Sequence, residues 1–266
     1  MKNELAMTLF SRRLLTESVS REQINALSDF GEGLMRPDKC SEVEPIRTPF
    51  DPADITVPIS WLAKPHGEFL YKKGNPTYLS GEIWNRTRPA TARFPSPLFS
   101  NYWTGRFDGN WARQVGIEKV EDFVSEMFRV TGSDFGLLTT EADLKAKNAN
   151  AASYSYQGLD LEAAVPGLYW TNFFSDEFAK RLGLRCLPEG LAVSRPLAHG
   201  GVSLKFCESP DQCRDPETLQ KQCAVIERLG PGKFFDVRSP NRKLDTLDWG
   251  QAPSRKGGTK PEGHPR

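Results

Sequence analysis

An α+β fold, with a mixed or antiparallel sheet packed against helices, is what this sequence predicts, and three observations predict it. The stretch Val165 to Leu184 reads as turn, aromatic strand and capped helix in one unit. Ile117 to Gly132 reads as an amphipathic helix, with Ile117, Val120, Phe123, Val124, Met127 and Phe128 on one face and Glu118, Glu121, Asp122 and Glu126 largely on the other. From Leu168 onward the order is strand, helix, strand, strand, helix, strand, the βαββαβ order used by ferredoxin-like sheets.

In chain order, Ser20-Arg21-Glu22-Gln23 has the form of a capping box that opens a helix carrying Ile24, Leu27 and Leu34 on its apolar stripe. Pro37, Pro45, Pro49, Pro52 and Pro58 make the next stretch extended chain. Ile55 to Leu62 is an edge strand at best, because Pro58 cannot donate to a ladder. Glu68–Lys72 and Gly81–Thr87 are strands joined by a turn at Gly74-Asn75-Pro76. Arg88 to Trp111 shows no clear period. After the helix that Gly132 closes, Phe135–Thr139 is a strand and Thr140, with Asp143, starts a helix ending near Asn148. Asn148 to Gly158 is small and polar, a loop.

In the unit Val165 to Leu184, Pro166-Gly167 is the turn and Leu168, Tyr169, Trp170, Phe173 and Phe174 give the strand too much apolar bulk for a solvated edge. Ser175 suits the N-cap, Asp176 and Glu177 the helix start, Lys180 and Arg181 its end, and Gly183 the left-handed stop. Strands Leu191–Arg195 and Val202–Cys207 follow. A helix over Pro216–Leu229 has Asp215 as N-cap, Pro216 at its first position and Gly230 at its end. Phe234–Val237 is the last strand. These elements divide the chain into an N-terminal segment 1–19, one α+β domain over 20–249 with a joint between two sub-halves near 148–158, and a disordered basic tail 250–266.

The tail carries Arg255, Lys256, Lys260 and Arg266 against Glu262, a net of +3, so the rest of the chain holds −2 of the overall +1. A near-neutral body lacks the concentrated basic footprint that phosphate binding needs, which argues against nucleic acid as a direct ligand. No apolar run approaches the roughly 18 residues of a membrane span. Leu5 to Phe10, broken by Thr8, falls short of the roughly 7–15 apolar residues of a secretory signal. The five cysteines are odd in number and lack CxxC spacing, as reduced structural thiols would be. A cytoplasmic protein is expected.

No catalytic constellation, metal site or cofactor motif is expected either. There is no GxSxG elbow, and His199-Gly200-Gly201 without one reads as a turn between strands. The three histidines, His66, His199 and His264, are scattered, whereas zinc needs about four clustered ligands. No GxGxxG and no GKS or GKT loop is present. Asp143-Leu144-Lys145 has the acid-x-Lys form of metal-dependent nucleases, but sits early in a helix and reads as its solvated start.

Two surfaces are candidates for holding a partner. Tyr102, Trp103 and Trp111, with Arg106 and Asp108 among them, lie in the irregular loop Pro95 to Trp111. They are either interface anchors or rings that plug the core beneath that loop. Glu118, Asp122 and Glu126 on the amphipathic helix either meet a basic partner or form a solvated face.

The segment PGLYWTNFF, the helix ending in RLGL, then GGVSLKF and the helix leading to IERLGPGKFFDVRSPNR together resemble the immunity protein 52 family. The resemblance is strongest from Val165 to Arg242 and extends more weakly from Arg13 to Gly132. A related family of type VI immunity proteins has a similar Tyr-Trp strand. Both resemblances imply an α+β protein that binds and silences a cognate restriction-endonuclease-like toxin of a polymorphic-toxin or type VI secretion system. The partner implied is thus a nuclease toxin, with neither cofactor nor membrane involved. The alternative is an enzyme whose site is built from carboxylates and His199.

Overall fold

Strand β1, Leu5–Ser11, has neighbours on both sides: it pairs antiparallel with β6, Asn101–Phe107, and with β7, Phe135–Thr140. The computed structural model describes residues 4–87, 101–147, 161, 164–184, 187–188, 190–198 and 200–236. The remaining strands are β2 (Lys39–Ser41), β3 (Thr48–Pro49), β4 (Glu68–Lys73), β5 (Leu79–Trp84), β8 (Thr171–Phe174), β9 (Val193–Pro196) and β10 (Val202–Lys205). All ten form one sheet in the order β3-β2-β4-β5-β6-β1-β7-β8-β10-β9, and every ladder between them is antiparallel. The α+β class is therefore as the sequence predicts, with an antiparallel sheet.

Helices cover both faces. Against one face lie α1 (Glu17–Gly33), α2 (Thr56–Leu62), α3 (Gly109–Val115) and α4 (Ile117–Thr131). There Ile24, Leu27, Ile59, Val120, Phe123 and Phe128 pack with Leu5, Met7 and Leu9 of β1 and with Trp103 and Phe107 of β6. Against the other face lie α5 (Glu141–Lys147), α6 (Asp176–Leu182) and α7 (Pro216–Leu229). Phe178, Leu182, Val225 and Leu229 cover Phe10, Phe135, Leu137 and Phe174 there.

Several local expectations hold to within a residue: α4 with its left-handed Gly132 stop, α6 between Ser175 and Gly183, and α7 with Pro216 at its start. The β8-α6-β9-β10 run is a split βαβ, with β10 antiparallel between β8 and β9.

Others are corrected. Leu5–Ser11 lies in the sheet, so residues 1–19 are not a segment apart from the domain. Helix α1 begins at Glu17 rather than after Ser20: Thr16 is its N-cap, accepting from Val19 N–H at 3.4 Å, and Ser20 is buried in the first turns. Thr56–Leu62 is a helix, not an edge strand. Pro58 sits in its first turn, where a missing N–H leaves nothing unpaired. Asn101–Phe107 is the strand β6, where a loop was expected; residues 95–100 lie outside the described residues.

Strand β8 starts at Thr171, three residues later than predicted. The Asn172 side chain accepts from Tyr169 N–H (3.0 Å) and donates to Tyr169 O (2.9 Å), doing for that backbone what a neighbouring strand would do. At the far end the expected last strand is reduced to a parallel bridge between Phe234 and Val165, and Val237 lies outside the described residues. The 148–158 joint lies outside them as well, yet β7 pairs with β8 across it, so one sheet runs through both sub-halves. The tail 250–266 is also outside the described residues.

Candidate functional site

Alternate residues of β4, β5 and β6 point to opposite faces of the sheet. Phe69, Tyr71, Leu79, Ile83, Trp103 and Phe107 are buried beneath α1 to α4. On the opposite face, register places Glu68 beside Trp84, Trp84 beside Tyr102, Glu82 beside Thr104 and Ser80 beside Arg106. These residues are half-buried, and Arg106 is exposed. Among the described residues, α5, α6 and α7 pack over β1, β7, β8 and β10, and no helix caps the β4–β5–β6 part of this face.

The centre of that part is an aromatic stack. The Trp84 and Tyr102 rings lie 5.3 Å apart at 22°, and the Arg86 guanidinium lies over the Trp84 ring at 3.6 Å. A cation on an indole face is an electrostatic attraction, stronger where water is excluded. Trp84 Nε1 is buried without an acceptor. Beside the stack, Thr104 Oγ1 donates to Glu82 Oε1 at 3.4 Å. Burial, with the like charge of Glu82 adding to it, pushes the Glu68 carboxyl above the usual carboxylate range, while Arg86 opposes the shift. Trp, Tyr and Arg are the side chains most enriched at interface hot spots.

The eight residues singled out in the sequence do not form one site. Tyr102 and Arg106 belong to this sheet face. Trp103, their neighbour, is 1% exposed and donates from Nε1 to Tyr71 Oη at 2.8 Å. It is therefore a core residue and not an interface anchor, as strand alternation demands once Tyr102 faces outward. Gly81 makes that packing possible, since a Cβ there would lie 2.3 Å from Tyr71 Oη and 2.2 Å from Thr104 O.

Asp108 caps α3, accepting from Asn110 and Trp111 N–H, both at 3.0 Å. Trp111 stacks on Tyr78 at 4.9 Å. Glu118 and Asp122 are exposed on α4, on the opposite side of the sheet, and Glu126 pairs with Arg129. Glu121, from the same helix, turns in to accept from Thr171 Oγ1 (3.0 Å) and Lys205 Nζ (2.8 Å), which tie α4 to β8 and β10. Trp84, Arg86, Glu68 and Glu82 were missed by reasoning from sequence, although the Glu82–Trp84 spacing across Ile83 marks a common face.

Asp143 is also not where a solvated helix start would put it. It is fully buried, accepting from Thr139 Oγ1 at 2.8 Å and pairing with Lys147 at 2.7 Å, while Lys145 faces outward and pairs with Glu141. Among the described residues no cluster of three or more His, Cys, Asp or Glu side chains is placed to hold a metal ion, and no helix is long and apolar enough to cross a membrane. Cys40, Cys207, Cys213 and Cys223 are free thiols, and burial pushes those of Cys40 and Cys207 up to about 11. His199, the histidine of the enzyme alternative, lies outside the described residues.

No protein-family model and no curated protein sequence matches this chain. Among solved structures it is similar to the Pseudomonas aeruginosa T6SS protein PA0821, with a TM-score of 0.54 over 87% of this chain and 74% of that one, at 11% sequence identity. At that identity the likeness is one of fold: this α+β architecture is shared with a type VI secretion system protein.

Proposed function

We propose that the chain is an immunity protein of a type VI secretion or polymorphic-toxin system, binding a cognate nuclease toxin stoichiometrically and silencing it. The observation that carries this reading is the likeness of fold to a T6SS protein over 87% of the chain. The immunity part of the reading is motivated by the sequence resemblance from PGLYWTNFF to RSPNR, which no family model matches. On this reading the Trp84–Tyr102 face, with Glu68 and Glu82 beside it, meets the toxin, and the exposed Glu118 and Asp122 of α4 are the competing surface. A nuclease cleft must be basic to hold phosphates, so carboxylates flanking aromatic anchors complement it. A stable pair of this kind buries roughly 1,200–2,000 Å².

The test is a titration of the purified protein into an activity assay of the product of the neighbouring gene, the first candidate for the toxin. Inhibition should be complete at one equivalent. Inhibition that keeps growing far beyond equivalence, or turnover of a small molecule by the chain alone, would overturn the reading.

A further inference from the structure

We propose that the outward side of α7 is an interface between two copies of this chain, their α7 helices packed antiparallel about a two-fold axis. The buried positions of α7 are Thr218, Gln222, Val225 and Leu229, two of them polar. Leu219, Cys223 and Ile226 form a separate stripe at i, i+4 and i+7, about a quarter turn round the helix from that row. Leu219 is 37% exposed, Cys223 is exposed and Ile226 is half-buried. Beside the stripe runs a groove of about 410 Å³ with Pro166, Leu168, Pro231 and Phe234 in its apolar walls. Ridge and groove thus share one surface. An isologous contact requires this, since each copy must offer both to the other.

The charges select the occupant. Arg214, just before α7, and Glu227, in its last turn, line the groove from opposite ends of the helix. Both are exposed, and among the described residues neither has an ion-pair partner. Asp236 adds a second carboxylate to the lining, while Asp143 and Lys147 there neutralise each other at 2.7 Å. An axis midway between Gln222 and Cys223 sets Leu219 against Ile226 of the second copy. It also turns the Arg214 end of each helix toward the Glu227 end of the other, so that cation meets carboxylate twice. Parallel packing would set like charges together. No residue of β4, β5 or β6 lines this groove, so the contact is separate from the proposed toxin contact.

Sedimentation velocity of the purified chain should show a concentration-dependent species of twice 29.8 kDa. Leu219→Arg should weaken it on the order of tenfold or more, because the contact then buries a charge without a counter-ion. Its melt should match the parent's at a concentration where both are monomeric. Arg214→Glu and Glu227→Arg should each weaken the dimer, and the two exchanges together should strengthen it again. Cys223 lies within one residue of the axis, so a short bismaleimide should join the two copies through it, one thiol adding to each maleimide. Cys223→Ser should abolish that product. A monomer at every concentration would leave the groove to the toxin or to another segment of this chain, and would overturn the dimer. A dimer untouched by Leu219→Arg, no recovery on the double charge exchange, or no link through Cys223 would each overturn the antiparallel contact. None of these readouts involves the toxin, so neutralisation is decided separately by its own titration.

Discussion

Arg12 holds Asp134 through three hydrogen bonds: its backbone N–H and Nε donate to Oδ2 at 3.1 and 3.2 Å, and Nη2 donates to Oδ1 at 2.7 Å. Nη2 also reaches Glu177 at 2.8 Å. One side chain just past β1 thereby joins the approach to β7 and the first turn of α6. Burial works against the guanidinium charge, but bonding and proximity to Asp134 and Glu177 outweigh it and raise the Arg12 pKa.

Arg12→Ala should cost about 2–4 kcal/mol, because it leaves a buried carboxylate without its counter-charge. Urea denaturation should show a lower midpoint at unchanged slope. A change below about 0.5 kcal/mol, the scale of an ordinary surface substitution, would mean that Asp134 is satisfied without Arg12.

Trp103 and Tyr102 are adjacent in sequence and opposite in environment, so they should respond differently to truncation. Trp103→Ala removes a buried ring and its bond to Tyr71 and should cost about 3–5 kcal/mol. Tyr102→Ala, on the half-buried face, should cost about 1 kcal/mol. Thermal melts of the two variants side by side decide this; similar losses would contradict the strand alternation.

Trp170 should behave as a structural residue. It is fully buried and donates from Nε1 to Cys207 O at 2.9 Å. Trp170→Ala should lose about 3–5 kcal/mol, with partner binding failing only as the fold does. A variant that melts like the parent yet no longer binds would place Trp170 in the interface instead.

Much of this fold was legible where punctuation and period agree. Gly132, Ser175, Gly183 and Pro216 mark helix ends with local chemistry, and tertiary context did not override them. Thr56–Leu62 was misread because a proline at the third helical position looks the same in sequence as one in a strand. Leu5–Ser11 was missed because a strand flanked on both sides and covered on both faces has no alternation to display. The candidate site was half legible: β5 was expected as a strand, but which of its residues share a face with Tyr102 depends on a register that spans residues 88–100. Asp143 was misread because its partner, the half-buried Lys147, lies one helical turn away, beyond the Asp143-Leu144-Lys145 tripeptide.

The proposed toxin contact rests on the Trp84–Tyr102 stack, so the informative variant removes both rings. Trp84→Ala with Tyr102→Ala should weaken toxin binding by at least about 2 kcal/mol, as expected for paired aromatic hot spots, with cooperative unfolding retained. Calorimetric titration measures it. Unchanged affinity, together with a loss on Glu118→Lys plus Asp122→Lys, would move the contact to α4.

Glu68 makes a pH-dependent prediction whose sign is fixed by the direction of its shift. Burial first, and the neighbouring Glu82 second, raise its folded-state pKa above the ordinary carboxylate value. The folded state thus binds this proton more tightly than the unfolded state. Stability falls as pH rises from the usual glutamate range, near about 4.3, through the raised value, and the cost stands in full above it. Glu68→Gln removes the charge and with it the cost. The variant should melt higher than the parent at pH 7, and the advantage should vanish as pH is lowered below about 4. Melting curves across that range check it. A gain that is the same at both ends would trace to packing of the amide and not to the carboxylate beside Glu82.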